Sequence, residues 1–306
     1  MNDSPPWSED TFWIVRSAGE RTTAACAALI RRFVPAERVR IIEERPFSAA
    51  ISRTYELGAA SGATWTCCID ADVFIHAPGW RRLLAEARRV PPRVWYVQGL
   101  TIDKFIPIIR TAGTGIYRNS AVLEARAGIP PDGTSLRPET DTMQAMLARG
   151  WRMYRTPIVV GMHDFEQHYR DIARKMILHY HKHANVRAEM VAYWTEQREA
   201  DADFAAALLG ARLGEELRGT IRVDREFRQR EVTQRLAAAG LAPKAALEAA
   251  RITPEFVAEF VANFTPHAAL QARKFPTFRE YTDFGSVPRW ERALRKLRHA
   301  LTGRRY

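Results

Sequence analysis

Two aspartates one residue apart, Asp70 and Asp72, interrupt the apolar run TWTCCIDADVFI at residues 64–75. A carboxylate in apolar surroundings is expensive unless a cation or a proton neutralises it. On one extended strand, residues at i and i+2 share a face, so the pair is expected to aim at a common cation. Mg2+ and Mn2+ favour such ligands, typically one or two carboxylates together with substrate phosphates. Asp70 and Asp72 are therefore the first candidate metal ligands, with one of them free to reach a ribose hydroxyl instead. A second acidic pair, Glu139 and Asp141 in PETD, opens a helical pattern. Helix capping and proton abstraction both suit acids at that place. His163, in the polar His-Asp-x-Glu-Gln run after an apolar stretch, is a candidate third ligand.

These groups need a frame. TFWIVRS (11–17) reads as a strand, followed by a small-residue turn and a helical repeat in TAACAALIRRFV. RVRIIEERP (38–46) is a second strand stopped by Pro46, FSAAISRTYELGAASG a second helix, and TWTCCIDADVFI a third strand. This alternation predicts a doubly wound, mostly parallel α/β sheet, which binds ligands outside the carboxyl ends of its strands. GWRRLLAEARRV follows as a helix and RVWYVQGLTIDKF as a strand. GTGIYRNSAVLEARAG then gives a turn, strand and helix, and PETDTMQAMLARGWRMYRTPIVVGMHDFEQ a helix, strand and loop. From about residue 168 amphipathic helices dominate. The expected division is an α/β unit over 1–190 and a helical appendage over 191–306.

The chain has 306 residues, 46% hydrophobic, with a net charge of +11. The last eighteen, RWERALRKLRHALTGRRY, carry seven Lys or Arg and one acid. Leu294, Leu297 and Leu301 form a stripe there, which suits contact with an anionic membrane surface or packing on the body. No nucleic-acid-binding motif accompanies this charge, so no nucleic-acid partner is expected. Three cysteines form neither a disulfide framework nor a zinc pattern, and a reducing cytoplasm is the expected setting. The opening MNDSPPWSED lacks the features of a secretory signal, and no apolar run reaches membrane-spanning length. His179 and His183 in HYHKH lie one helical turn apart, but no Glu completes a zinc-protease pattern and a surface role is expected.

The strand-terminal CIDADVFI, preceded by ISRTYELGAASGATW, resembles the GT-A glycosyltransferases, particularly glycosyltransferase family 2. The resemblance covers roughly residues 11–185 and continues in GTGIYRNSAV (113–122) and PETDTMQAMLARGWRM (138–153). It implies a metal-dependent, inverting transfer of a hexose from a nucleotide-diphosphate sugar, UDP-sugar favoured, to a hydroxyl of a glycan or lipid-linked acceptor, as in envelope or exported polysaccharide synthesis. Mn2+ or Mg2+ on Asp70, Asp72 and His163 is implied, with Ala71 and Gly115 lining the donor. Counting back from Gly150 puts Glu139 where the family usually has its catalytic aspartate and Asp141 at the second acid, and the base is either of them. Arg16, Ser17, Gly19 and Arg21 stand where the family holds the nucleotide, Glu43 and Glu44 where an acid meets base or ribose, and Arg53 within reach of uracil or diphosphate. The QxxRW motif is missing, which argues against processive synthesis. The rival readings are a nucleotidyltransferase, disfavoured by the single glycine of RSAGERT, and a non-catalytic binding or scaffold protein of the same fold.

Overall fold

A computed structural model describes Trp7 and residues 10–218, 221–222 and 227–274. The basic stretch 289–306 lies outside them. The first half runs β1 (Thr11–Arg16), α1 (Thr23–Arg31), β2 (Val39–Ile42), α2 (Phe47–Ala60), β3 (Trp65–Asp70), β4 (Val73–Ile75), α3 (Ala77–Arg89) and β5 (Val94–Asp103). It continues through β6 (Ile109–Arg110), β7 (Thr114–Arg118), α4 (Asn119–Arg126), α5 (Pro138–Ala148) and β8 (Arg152–His163). Six helices follow among the described residues: α6 (Tyr169–Lys182), α7 (Arg187–Gln197), α8 (Ala202–Glu216), α9 (Gln229–Ala238), α10 (Pro254–Asn263) and α11 (Ala268–Lys274).

The strands form one sheet in the order β2-β1-β3-β7-β5-β8-β4, with β6 paired to β5. The expected α/β frame is present: β2, β1 and β3 are parallel and joined through helices. β5 and β8 are parallel as well, while β7 runs antiparallel between β3 and β5. The sheet is thus mixed, as the glycosyltransferase resemblance implies, because β7 follows β5 after a short excursion that allows only antiparallel return.

The run expected as one third strand is two. β3 stops at Asp70 and β4 starts at Val73, yet they hold the third and seventh places in the sheet order. Four strand spacings on a flat sheet would need about 19 Å. The link from Asp70 to Val73 reaches at most about 11 Å. The sheet must therefore curl so that its far edge returns beside β3.

Three apolar clusters hold this shape. One packs α1, α3 and α10 on the sheet around Trp13, Trp80 and Phe74. A second seats α2, α4 and α5 around Tyr55, Trp95 and Tyr117. The third joins α6, α7, α8 and α9 to Phe105, Ile106 and Ile108, and so spans both sides of residue 190. α10 returns to β8, so the helical region wraps the sheet. No helix among the described residues is long and apolar enough to cross a membrane.

Candidate functional site

β1, β3, β5 and β8 point the same way, and each ends in a residue able to carry charge: Arg16, Asp70, Asp103 and His163. Strand register sets them side by side, Arg16 opposite Asp70 and His163 opposite both Asp103 and Val73. This is the carboxyl edge at which open α/β sheets bind ligands.

Asp70 and Asp72 part company there. Because β3 ends between them, they do not share a strand face. Asp70 accepts from Arg16 Nε at 2.8 Å and meets Nη2 at 2.7 Å. Arg16 Nη1 lies 2.6 Å from Oε1 of Glu139, and its guanidinium stacks 5.1 Å from the Phe47 ring centre. Tyr117 also donates to that Glu139 oxygen, at 3.2 Å. Burial raises the Asp70 pKa above its ordinary value even though Arg16 pulls the other way. Glu139 thus faces inward from the first turn of α5, whereas Asp141 is exposed.

Asp72 belongs to a second group with His163 and Asp164, whose ligand atoms lie within 4.8 Å of one another. Lys175, from α6, donates to Asp72 Oδ2 at 2.5 Å and to Asp164 Oδ1. Burial opposes ionisation of Asp72, but Lys175 and His163 outweigh it and hold this carboxyl well below the usual range. Asp72 Oδ1 and Asp164 Oδ2 remain buried without a hydrogen bond. Asp164 adopts φ 68°, a left-handed conformation that Asp tolerates better than most residues, and its N–H donates to Asp72 O at 3.0 Å.

His163 is oriented from behind. Its Nδ1 lies 2.9 Å from Asp103 Oδ2, and its Nε2 is 3.7 Å from Asp72 Oδ1. Asp103 is fully buried and also accepts from Arg110 Nε at 2.9 Å and from the N–H groups of Phe105 and Ile106. Metal-binding histidines commonly use one ring nitrogen in this way while presenting the other. Asp164 Oδ2 also lies 3.2 Å from His163 Nδ1, and this donor set of two carboxylates and an imidazole, with two buried oxygens that accept no hydrogen bond, fits a divalent ion. Gly113 separates the groups. At φ 61° a Cβ there would sit 3.1 Å from the His163 ring and 3.6 Å from Asp70 Cβ.

The other sequence candidates are placed less directly. In the β1–α1 turn, Ser17 Oγ accepts from Gly19 N–H at 2.9 Å and Glu20 accepts from Ala18 N–H at 2.7 Å. Burial and the nearby Asp72 charge raise the Glu20 pKa. Arg21 donates to Ala245 O at 2.6 Å and meets Glu166 at 3.3 Å, tying this turn to later segments. Ala71 is buried, with its N–H on Arg16 O and its carbonyl on Thr22. Gly115 lies within β7, where a Cβ would strike the Tyr96 ring at 2.3 Å. Glu43 is exposed, and Glu44 pairs with Arg53 at 3.6 Å on the surface beyond β2. His179 and His183 are buried, their rings 4.9 Å apart, which corrects the expected surface role. The apolar face of α6 against the third cluster carries them inward, and burial with the neighbouring His183 holds His179 well below the ordinary imidazole value.

Sequence reading missed Asp103, Asp164, Lys175, Arg110 and Tyr117. The only sequence trace of Lys175 is a cation in the apolar face that Ile172, Met176 and Ile177 present to the core.

No protein-family model matches the chain, and neither does any curated protein. Among solved structures, similarity is found to a glycosyltransferase involved in glycosylation of the major capsid of PBCV-1, at 10% identity and TM-score 0.38, covering 53% of this chain and 94% of that one. The mannosyltransferase PcManGT from Pyrobaculum calidifontis, in complex with GDP-Man and Mn2+, is 15% identical with TM-score 0.39, covering 97% of this chain and 87% of its own. A197 from STIV shows 10% identity and TM-score 0.34, over 48% and 81%. At these scores the likeness is one of chain path, and the site is assigned from this chain's own side chains.

Proposed function

We propose that the protein is a GT-A-like, metal-dependent glycosyltransferase that moves a sugar from a nucleotide-diphosphate donor to an acceptor hydroxyl with inversion. One observation supports this most: a buried Asp72–His163–Asp164 group, with two carboxylate oxygens that accept no hydrogen bond, lies at the same strand edge as a carboxylate, Glu139, that is oriented by Arg16 and Tyr117.

Asp72, Asp164 and Nε2 of His163 would hold Mn2+ or Mg2+, and the bound ion supplies stabilisation of negative charge on the departing diphosphate. Asp103 holds His163 in orientation. Asp70, fixed by Arg16, is assigned to a ribose hydroxyl rather than to the ion. Glu139 Oε1 is occupied by Arg16 and Tyr117, which leaves Oε2 to take the acceptor proton. As that proton leaves, the acceptor oxygen bonds to the anomeric carbon, and the bond from that carbon to the diphosphate breaks on the opposite face. UDP-sugars are the first donors to try, and the GDP-Man of the Pyrobaculum enzyme adds GDP-sugars to the screen.

The test is a thermal-shift screen of UDP-, GDP-, dTDP- and CMP-sugars with and without Mn2+, followed by assay of released nucleotide. A donor at about 100 times its Kd stabilises by about 2.7 kcal/mol. Metal-dependent stabilisation by one donor class, with nucleotide release, supports the reading. Absence of any such shift overturns it.

A further inference from the structure

The Asp72 group shares a small hollow with the β1–α1 turn. It offers about 10 Å³ for the centre of a water-sized guest, which is room for one water or one ion. Glu20, Asp72, Asp164 and Asp171 line it, together with Arg174 and Lys175 of α6.

The turn is clamped in this place. Thr22 Oγ1 donates to the Ala71 carbonyl at 2.7 Å, and Gln167 Nε2 donates in turn to Thr22 Oγ1 at 3.2 Å. Glu20 is held by one oxygen: its Oε2 accepts from the Ala18 N–H at 2.7 Å and from Ser17 Oγ at 3.3 Å, which leaves Oε1 for the hollow. Asp171 is met by Arg170 at 3.6 Å, and Lys175 bridges Asp72 and Asp164. Glu20 has no such ion pair among the described residues. Three carboxylates thus border one hollow of ionic size, and two of their oxygens, Asp72 Oδ1 and Asp164 Oδ2, are buried and accept no hydrogen bond. Burial and then the Asp72 charge make Glu20 harder to ionise, a cost that a cation between the two acids would remove.

We infer that Glu20 is a further ligand of the divalent ion, added from the β1–α1 turn, so that the protein holds the ion before any nucleotide arrives. The inference rests on the assignment of the ion to the Asp72 group and gives that group a third carboxylate. Affinity for a hard divalent ion follows the number of charged oxygen ligands. Three carboxylates and an imidazole therefore suffice without the phosphates that such ions usually recruit. The donor diphosphate would then add to a site already loaded.

The experiment is calorimetric titration of Mn2+, with no nucleotide present, into the full chain and into its Glu20→Gln and Asp72→Asn variants, with melting temperatures recorded with and without the ion. Gln keeps an oxygen for the Ala18 N–H and removes a charge that Asp72 repels, so Glu20→Gln should melt no lower than the parent in the absence of Mn2+. Its Mn2+ affinity should fall by at least about tenfold, the scale for groups that merely orient a ligand. The rise in melting temperature that Mn2+ produces, read within each protein, should shrink as well, a comparison that holds even if the variant is less stable. Equal Mn2+ affinity in the parent and Glu20→Gln, with affinity lost in Asp72→Asn, removes Glu20 and leaves the Asp72 group in place. A parent that takes up Mn2+ only once UDP is added also overturns the inference, while the transferase reading survives. Absence of Mn2+ binding with UDP and without it overturns both.

Discussion

Nδ1 of His163 lies 2.9 Å from Oδ2 of Asp103, the carboxylate oxygen that also accepts from Arg110. A proton shared along that line leaves Nε2 facing Asp72. Removing the Asp103 charge while keeping its shape should therefore loosen any metal held by His163. In Asp103→Asn, Mn2+ affinity measured by calorimetry is expected to fall by about 10–100-fold. A melting curve run alongside accounts for the stability lost with the Arg110 pair. Unchanged Mn2+ affinity would remove Asp103 from its orienting role.

The same imidazole makes metal binding sensitive to pH. Burial alone lowers the His163 pKa, but the charges of Asp164 and Asp72 and the Asp103 hydrogen bond outweigh it, raising it above 6.5. A metal must expel that proton. Below the raised pKa, Mn2+ affinity should climb about tenfold per pH unit, with one proton released per ion bound. Titration in buffers of different ionisation heat reads that proton, and a pH-independent affinity with no release would exclude His163 as a ligand.

Lys175 competes for the same acids. Its ammonium occupies one oxygen each of Asp72 and Asp164, so a divalent ion must displace it or share with it. Lys175→Gln should melt lower without metal, by about 3–5 kcal/mol, because buried carboxylates lose their counter-charge. The variant should also bind Mn2+ more tightly and recover its melting temperature when the ion is added. A variant that neither melts lower nor responds to Mn2+ would show that the acids are satisfied by other means.

Glu139 and Asp141 separate cleanly by placement. Glu139→Gln should keep donor affinity and lose transfer by about 10²–10⁴-fold, the usual scale for a general base. Asp141→Asn, at an exposed position, should leave the rate within a few-fold. The opposite pattern would reassign the base.

Much of the frame could be read from the chain because it is local. β1, α1, β2 and α2 follow alternating runs of apolar residues bounded by Gly, Ser and Pro, and Asp70 and Asp72 interrupt an apolar run where a strand must end. Other features arise only when distant segments meet. Nothing between residues 64 and 75 says that β4 leaves β3 for the far edge, since the break depends on pairing with β8, nearly ninety residues later. Lys175 and Asp103 were hidden for the same reason. A lysine on an amphipathic helix reads as solvent-facing, and an aspartate before Lys104 reads as a strand terminus, until the sheet edge brings their partners to them.

Gly113 tests the close approach of the two halves. Its φ of 61° and a Cβ position 2.6 Å from Val73 Cγ2 leave no room for a side chain. The left-handed backbone alone makes Gly113→Ala destabilising by about 1–2 kcal/mol. The contact with the His163 ring adds an expected loss of Mn2+ affinity. A variant equal to the parent in both melting temperature and metal binding would show that the strand ends have slack.

Ala71 and Asp72 are all the chain between β3 and the opposite margin of the sheet. So short a tether acts as a caliper, because the gap it spans sets how far Asp70 stands from the Asp72 group. Inserting a single glycine after Ala71 would leave every strand its full sequence and yet let the seam spread, so that the molecule keeps its hydrophobic interior while Asp70 and the Asp72 group drift out of step.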